Sequence, residues 1–476
     1  MGGAAVKLGP WLPDQPPHAH DGLVVARNVF ATPMGYSPVK AYSAVTTPLG
    51  VTPAWQGGRS FVGIDGTVVL LAGTDTGLYR YDATSGWIQE YPDTYTNKWQ
   101  FAQFGDLVIA VQGAAPVKYD IGAGTAALLG GTPPNGKFIT TVKDFVVIAG
   151  VDSANSTVYW SAINNAEGWT VGTDQSDLQV IPDGGEVTGL AGGEYMLVFQ
   201  REQIWRGQYV GTPLIYQFDK ISQGVGCIAP RSLAQVGRTV YFISQRGFMA
   251  FTDGEIQMIG ANKVDATFFG QYSTADIEAD VSVAVDPIRK LVIWAMPRRL
   301  WCYNWELDRW TDVEGDFFGV STGADQSYTL EQIAALYPGG METVPGSFDD
   351  PIWQGGNPFL MIVANDGTLG SFGASTNLQA KIELPFLEPA KGRDIRVRAI
   401  RLDTDAVADV RIELEGRRRL GDASTEFLGS SIRPNGDMPV RASGRYIKPR
   451  LIFDESADWS YVNSFDFVQA AQGGRW

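Results

Sequence analysis

Seven times along the chain a short apolar run is followed closely by a second run rich in aromatic residues. The first runs are 68–72, 107–111, 145–149, 195–199, 239–243, 291–295 and 359–363. Their partners are 78–82, 117–120, 158–160, 204–206, 248–251, 300–304 and 368–372. Apolar runs of this length, bounded by turn residues, read as buried strands. The starts of the first runs lie 39, 38, 50, 44, 52 and 68 residues apart. Recurrence at roughly 40–50 residues is the mark of β-propeller blades. The pattern predicts an all-β chain with a propeller of about seven irregular blades over residues 61–380, each opening on its apolar run.

Turn chemistry supports the division. Asp-Gly stands at Asp65-Gly66, Asp253-Gly254 and Asp366-Gly367, each between apolar alternations. That dipeptide is a strong hairpin signal because both residues tolerate positive φ. Trp87, Trp169 and Trp310 each fall late in a repeat, where a large ring suits packing of one blade on the next.

Three segments break the rhythm. Residues 1–60 form a Pro-rich arm with short strand-like stretches at 23–26 and 42–45, a segment that either supplies closing strands to the propeller ring or reaches out to a neighbour. The widest gap holds an insertion, 326–357. It begins with a capping box, Thr329 to Gln332, and a short apolar helical face ended by Tyr337-Pro338-Gly339-Gly340. A long insertion on a scaffold is a contact candidate, so Tyr337 and Trp353 are marked as assembly residues. From Lys381 the pattern becomes a two-residue alternation, at 394–402, 410–415 and 445–453. Several such strands in the segment 381–476 predict a small antiparallel sandwich-like domain, with the seam near Pro385–Pro389.

Composition changes the picture mainly through charge. The 476 residues carry a net charge of −15, but residues 381–476 sum to +1 and the remainder to −16. An acidic body lacks the basic footprint of a nucleic-acid-gripping protein. In the C-terminal segment, 13 of the 16 basic residues are Arg, the cation favoured at interfaces. The run Arg417-Arg418-Arg419 reads first as an exposed hairpin turn balanced by Glu413 and Glu415, and second as a dock for an acidic partner or for DNA phosphates. No stretch approaches 18 uncharged apolar residues, so no membrane-spanning segment is expected. The N-terminus has no signal-peptide core, and Val6 stands where a myristoylation motif wants Ser or Thr. Synthesis in a cytoplasm is therefore expected.

Catalytic chemistry is sparse. His18 and His20 are the two histidines and both lie in the arm, so a His-based nucleophile system in the propeller body would need the arm to fold into it. A zinc site there lacks neighbouring Cys or clustered carboxylates. The stretch Gly131–Lys137 approaches a phosphate loop, but Phe138 replaces the Mg²⁺-binding hydroxyl and Pro133 and Pro134 remove cradling N–H groups. It reads as a blade linker. Cys227 and Cys302 are the only cysteines, and their apolar settings predict two separate buried thiols. The expectation is a protein that is not an enzyme, with no cofactor and no metal.

Three stretches resemble a known family. Leu12–Gln15 with Gly22–Pro33 and Gly35–Pro38 resembles the start of tail-associated virion proteins of short-tailed phages. Ile204-Trp205, Gly224–Cys227 and Val240–Ser244 to Phe248 are similar to that family's central blades. Thr329–Gly340 and Trp353–Gly356 look like segments of phage structural proteins. The chain thus resembles the tail-nozzle, or packaged-DNA-stabilisation, family of Salmonella-type phages. That resemblance implies a homo-oligomeric ring of six copies below the portal and adaptor. Packaged double-stranded DNA would pass through it without sequence-specific binding, and the protein would reside in the virion tail. The competing expectation is a carbohydrate-binding or carbohydrate-active propeller, with Trp and paired carboxylates on one face.

Overall fold

The computed structural model describes residues 5–18, 20–50, 55–324 and 358–472. The arm supplies β1 (Val6–Lys7), β2 (Val25–Arg27), β3 (Val29–Thr32), β4 (Gly35–Pro38) and β5 (Lys40–Ala44). Blade 1 is β6 (Trp55–Val62), β7 (Val68–Thr74), β8 (Gly77–Asp82) and β9 (Gly86–Pro92). Blade 2 is β10 (Gln100–Phe104), β11 (Leu107–Val111), β12 (Val117–Asp120) and β13 (Thr125–Leu128). Blade 3 is β14 (Phe138–Val142), β15 (Phe145–Val151), β16 (Ala154–Trp160) and β17 (Asp177–Val180). Blade 4 is β18 (Val187–Ala191), β19 (Met196–Gln200), β20 (Gln203–Gly211) and β21 (Ile215–Gln223).

Blade 5 is β22 (Ala234–Val236), β23 (Thr239–Ser244), β24 (Gly247–Thr252) and β25 (Glu255–Met258). Two short helices, α1 (Asp265–Gln271) and α2 (Thr274–Asp280), lead to blade 6. That blade is β26 (Ser282–Asp286), β27 (Leu291–Met296), β28 (Arg299–Asn304) and β29 (Arg309–Glu314). Blade 7 has β30 (Phe317–Ala324), β31 (Pro358–Ala364) and β32 (Leu369–Asn377). The C-terminal part contributes β33 (Ala380–Glu383), β34 (Ile395–Thr404), β35 (Val410–Arg417), β36 (Thr425–Leu428), β37 (Asp437–Gly444), β38 (Tyr446–Phe453) and β39 (Val462–Gln472).

Each blade is an antiparallel four-stranded meander, and among the described residues there are seven. The fourth strand of blade 7 is not its own. β5 from the arm pairs antiparallel with β32, Tyr42 opposite Phe372 and Ala44 opposite Gly370. A strand from the arm thus closes the ring, one of the two roles that the sequence left open for it.

The apolar runs turn out to be the second strand of each blade, not the first. The first strands, β6, β10, β14, β18, β22, β26 and β30, surround the axis. They are shorter of apolar residues because part of their surface meets water in the channel. The second strands lie between two hydrogen-bonded neighbours and between adjacent blades. β19 and β27 are buried along their whole length, so they read as continuous apolar runs. The Asp-Gly turns at 65–66, 253–254 and 366–367 connect consecutive strands, with Gly66, Gly254 and Gly367 at φ of 87°, 102° and 81°. The first blade begins at Trp55, inside the segment 1–60 assigned to the arm. The helical pair α1 and α2 was not foreseen, and the expected helix after Thr329 lies outside the described residues.

Blade 6 does not end at β29. β2 lies against β29, with Arg27 opposite Asp312. β2 then pairs antiparallel with β33, and the sheet runs on through β38, β35 and β36. One nine-stranded sheet therefore belongs to both the propeller and the C-terminal domain. The facing sheet is β3-β4-β39-β34-β37, with β1 on β39. β35 and β38 alternate buried and solvent-facing positions, which is the signature of strands with one face in a core. A single buried cluster runs from Trp294, Trp301 and Trp310 of blade 6, through Trp11 and Leu23 of the arm, to Val410, Leu451 and Phe453 of the sandwich.

The arm is fixed by side chains as well as by strands. The Asp312 carboxylate, fully buried, takes Arg27 Nε at 3.1 Å and Arg299 Nη2 at 2.9 Å. Asn28, in the left-handed region at φ 56°, accepts the Glu314 N–H at 2.8 Å and donates to the Gln379 carbonyl at 2.8 Å. Asn accepts that conformation more readily than most side chains. Asp14 caps α1, accepting the N–H groups of Ala266 and Thr267, each at 2.8 Å.

Two predictions follow from these contacts. Asp312→Ala takes away the shared partner of two guanidinium groups, of which Arg27 keeps Glu314 and Arg299 keeps Gln271, so unfolding free energy should drop by about 1–3 kcal/mol. Urea denaturation measures it, and a loss under about 1 kcal/mol would mean that strand pairing alone holds the arm. The second concerns Asp265, whose carboxyl is pushed up to about 6, first by burial and then by the charge of Asp14. A raised carboxyl contributes stability that is complete below its unfolded pKa of about 4 and is lost as pH rises through the folded value. Asp265→Asn should therefore stabilise the protein by on the order of 2 kcal/mol at pH 8 and very little at pH 4. Denaturation at the two pH values checks it, and an equal effect at both would refute the assignment.

Candidate functional site: the channel and the sandwich face

The arginine run marked from sequence splits into three different situations. Arg417, at the end of β35, lays its guanidinium over the Phe386 ring at 4.4 Å and donates to Glu415 at 3.3 Å and to the Leu420 carbonyl at 3.2 Å. It is a structural arginine. Arg418 is exposed and pairs with Asp394 at 3.5 Å. Arg419 is exposed, and its backbone N–H donates to Asp422 at 3.0 Å. The balance expected from Glu413 is absent, since that carboxylate pairs with Arg450 at 2.8 Å. Glu415 does meet Arg417. Tyr337, Trp353 and the rest of the insertion lie outside the described residues.

The sandwich nevertheless presents a basic face, on a neighbouring part of its surface. β34 alternates, with Ile395 and Val397 buried while Arg396 and Arg398 point to solvent. On the adjoining β37, Met438, Val440 and Ala442 are buried and Arg441 is exposed. The register carries a bulge between Val397 and Ala399, which leaves Arg398 beside Arg441. Among the described residues, Arg396, Arg398 and Arg441 have no carboxylate partner. Arg401, further along β34, does have one, Asp437 at 2.8 Å. Like charges side by side on a sheet face repel. The three arginines border a shallow groove of about 1280 Å³ that also includes one carboxylate, Glu426, not ion-paired with them, and Leu428, 77% exposed on β36. The alternation of residues 394–402 was the sequence signal for this face, but it does not reveal which arginines go unpaired.

The second feature lies on the propeller axis. A cavity of about 560 Å³ is lined by the inner strands of blades 1, 2, 4, 5, 6 and 7. Three cations project into it: Arg59 from β6, Lys98 just before β10, and Arg231 from a 3-10 turn, Pro230–Ser232, before β22. Asp280, the last residue of α2, is the one carboxylate of the lining among the described residues. The backbone is crowded here. Gly58, at φ 158°, lies where a Cβ would come within 2.3 Å of the Leu71 carbonyl, and Gly73 lies where a Cβ would come within 2.1 Å of the Trp99 ring. Trp99 thereby seats against blade 1, its indole N–H donating to the Thr74 carbonyl at 2.9 Å.

Arg59 and Lys98 stay exposed to the solvent of the channel and Arg231 is half-buried, and the partial burial that the channel walls impose lowers the pKa of all three. For Arg59 it is the sole cause. For Lys98 the charge of Arg231 adds to burial, and Asp280 opposes it. Arg231 is brought down to about 10, again with Asp280 in opposition.

The remaining sequence candidates carry no such grouping. His20 Nδ1 accepts the Gly22 N–H at 2.9 Å, and burial lowers its pKa. Among the described residues, no three or more His, Cys, Asp and Glu side chains form a metal-ligating group. Cys227 and Cys302 are separate buried thiols, both pushed up by burial, Cys227 to about 11. The stretch resembling a phosphate loop is the linker between β13 and β14. No helix of the described residues is long and apolar enough to cross a membrane.

No family model matches the sequence, and no curated protein does. Among solved structures, the chain is similar to the extracellular domain of a hybrid two-component system from B. thetaiotaomicron, at 11% identity and a TM-score of 0.44, over 88% of this chain and 47% of that one. A structure described as the extracellular domain of a one-component system from the same organism gives 10% identity and 0.44, over 88% and 48%. A chain of a mitotic checkpoint complex gives 12% identity and 0.40, over 70% of this chain and 96% of its own. The chain spans about half the length of the first two. The blade assignment rests on the strand pairings themselves.

The arginine run yields a graded prediction. Arg417→Ala should cost about 1 kcal/mol, from loss of the Phe386 stack and of hydrogen bonds. Arg418→Ala and Arg419→Ala should each stay within about 0.5 kcal/mol of the parent. Denaturant midpoints compare them, and an equal loss at all three positions would contradict the assignment.

Proposed function

We propose that the protein is a structural subunit of a short-tailed phage tail, a nozzle-type component of a homo-oligomeric ring below the portal and adaptor. In this reading packaged double-stranded DNA passes through the ring, which helps to retain and then release the genome. The observation that carries the assembly reading is the separation of charge. Among the described residues, the sandwich offers Arg396, Arg398 and Arg441 without carboxylate partners, while residues 1–380 carry −16. In a closed ring each subunit uses two different faces. The arginine face of one copy meets the acidic propeller of the next, and Arg is the cation best suited to such a contact.

Two further points support it. The nine-stranded sheet and the continuous core make propeller and sandwich one block, suited to bearing load in an assembly. A predominantly acidic body repels phosphate, so DNA slides past it without being gripped. The tail setting and the six-fold ring come from the resemblance of the arm, the central blades and the segments around Thr329 and Trp353 to tail-nozzle proteins.

Purified protein at high concentration should form rings visible in negative stain, and rising salt should dissociate them. The triple variant Arg396→Glu, Arg398→Glu, Arg441→Glu should keep its melting temperature and remain monomeric. Particles assembled without the protein should lose packaged DNA. A parent protein that stays monomeric, together with particles that hold their DNA without it, would overturn the reading.

A further inference from the structure

The axis of the propeller gathers positive charge in a chain whose net charge is −15. Arg59, Lys98 and Arg231 share one cavity although they come from blades 1, 2 and 5. Blades 2 and 5 are separated by two others on the shorter way round, so Lys98 and Arg231 face each other across the axis. Two of the cations are held by neutral partners, and none is neutralised. Arg59 lies over the Phe61 ring at 5.2 Å. Arg231 donates to the carbonyls of Ala279 and, at 3.5 Å, Glu278 near the end of α2. Neither a ring face nor a carbonyl cancels a full charge. Lys98 has no hydrogen-bonded or ion-paired partner among the described residues. Among the described residues, Asp280 leaves a net excess of two positive charges on the lining.

Such a cluster is costly unless something answers it. Like charges in a partly desolvated space repel more strongly than they would in bulk water. We propose that the channel is a binding site for a small, multiply charged oxyanion, an organic phosphate or polycarboxylate, held between Arg59, Lys98 and Arg231. A cavity of about 560 Å³ falls in the range of small-molecule sites, about 300–1,000 Å³. Two guanidinium groups supply forked donors that match carboxylate and phosphate oxygens, and the ammonium adds a point charge. Trp55 and Phe101 on the same wall offer ring surface to an organic body.

The probes are inorganic pyrophosphate and citrate, titrated by calorimetry into the full chain at constant ionic strength. At least one should bind saturably and raise the melting temperature. A preference for pyrophosphate assigns the site to phosphate esters, and a preference for citrate assigns it to polycarboxylates. Lys98→Met should weaken binding at least tenfold. Without any probe, the same variant should melt at or above the parent temperature, because it relieves the repulsion with Arg231. Arg418→Ser, at an exposed site of the sandwich, should bind like the parent and so separates the channel from other basic surface. The proposal fails if neither probe binds, if Lys98→Met binds as the parent does, if Arg418→Ser is the variant that loses binding, or if Lys98→Met lowers the melting temperature without probe.

Discussion

Two strands near the N-terminus hold the molecule together through hydrogen bonds made with strands that lie far along the chain. β5 gives blade 7 its outer strand, and β2 fills the space between blade 6 and the sandwich. A sheet edge exposes unpaired N–H and C=O groups, which invite other strands. The arm satisfies two such edges. Without β5 the ring would end on the open edge of β32. Without β2 the outer strand of blade 6 and the first strand of the sandwich would both be exposed, and the nine-stranded sheet would be two sheets.

The side chains around β2 suit that position. Asp312 is buried where three elements meet, and it is tolerated there because Arg27 and Arg299 reach it from two directions. A lone buried carboxylate would be expensive, whereas a paired one fixes register. Glu383, at the other side of β2, is arranged similarly. Burial raises its pKa, but Lys448 and Arg450 outweigh that and hold it below the usual carboxylate range. Charged groups thus mark the joint between propeller and sandwich, with the aromatic cluster of Trp11, Trp294, Trp301 and Trp310 beneath them.

The distribution of charge follows a similar logic at larger scale. Many cations of the sandwich pair with nearby carboxylates, as at Arg411 with Asp454 and Arg445 with Glu388. Two groups of cations without such partners stand out, one on the outward face of β34 and β37 and one on the propeller axis. Neither cluster is a sequence cluster. Arg398 and Arg441 are brought together by strand pairing, and Lys98 and Arg231 by closure of the ring.

The amino-acid sequence by itself determined the repeat, the all-β class and the change of rhythm near Lys381. These are local properties: a strand buried on both faces must be apolar throughout, and a strand with one wet face must alternate. It also determined the turns, because Asp-Gly at 253–254 carries its conformation with it. It did not disclose that the apolar runs are second strands, since the innermost strands face water and leave a weaker pattern. Nor did it disclose that β2 joins two domains, that Arg417 is stacked on Phe386 while Arg398 is free, or that three cations meet on the axis. Those outcomes depend on which backbone edges find each other across hundreds of residues. That is a matter of closure and register, and only the tertiary structure decides it.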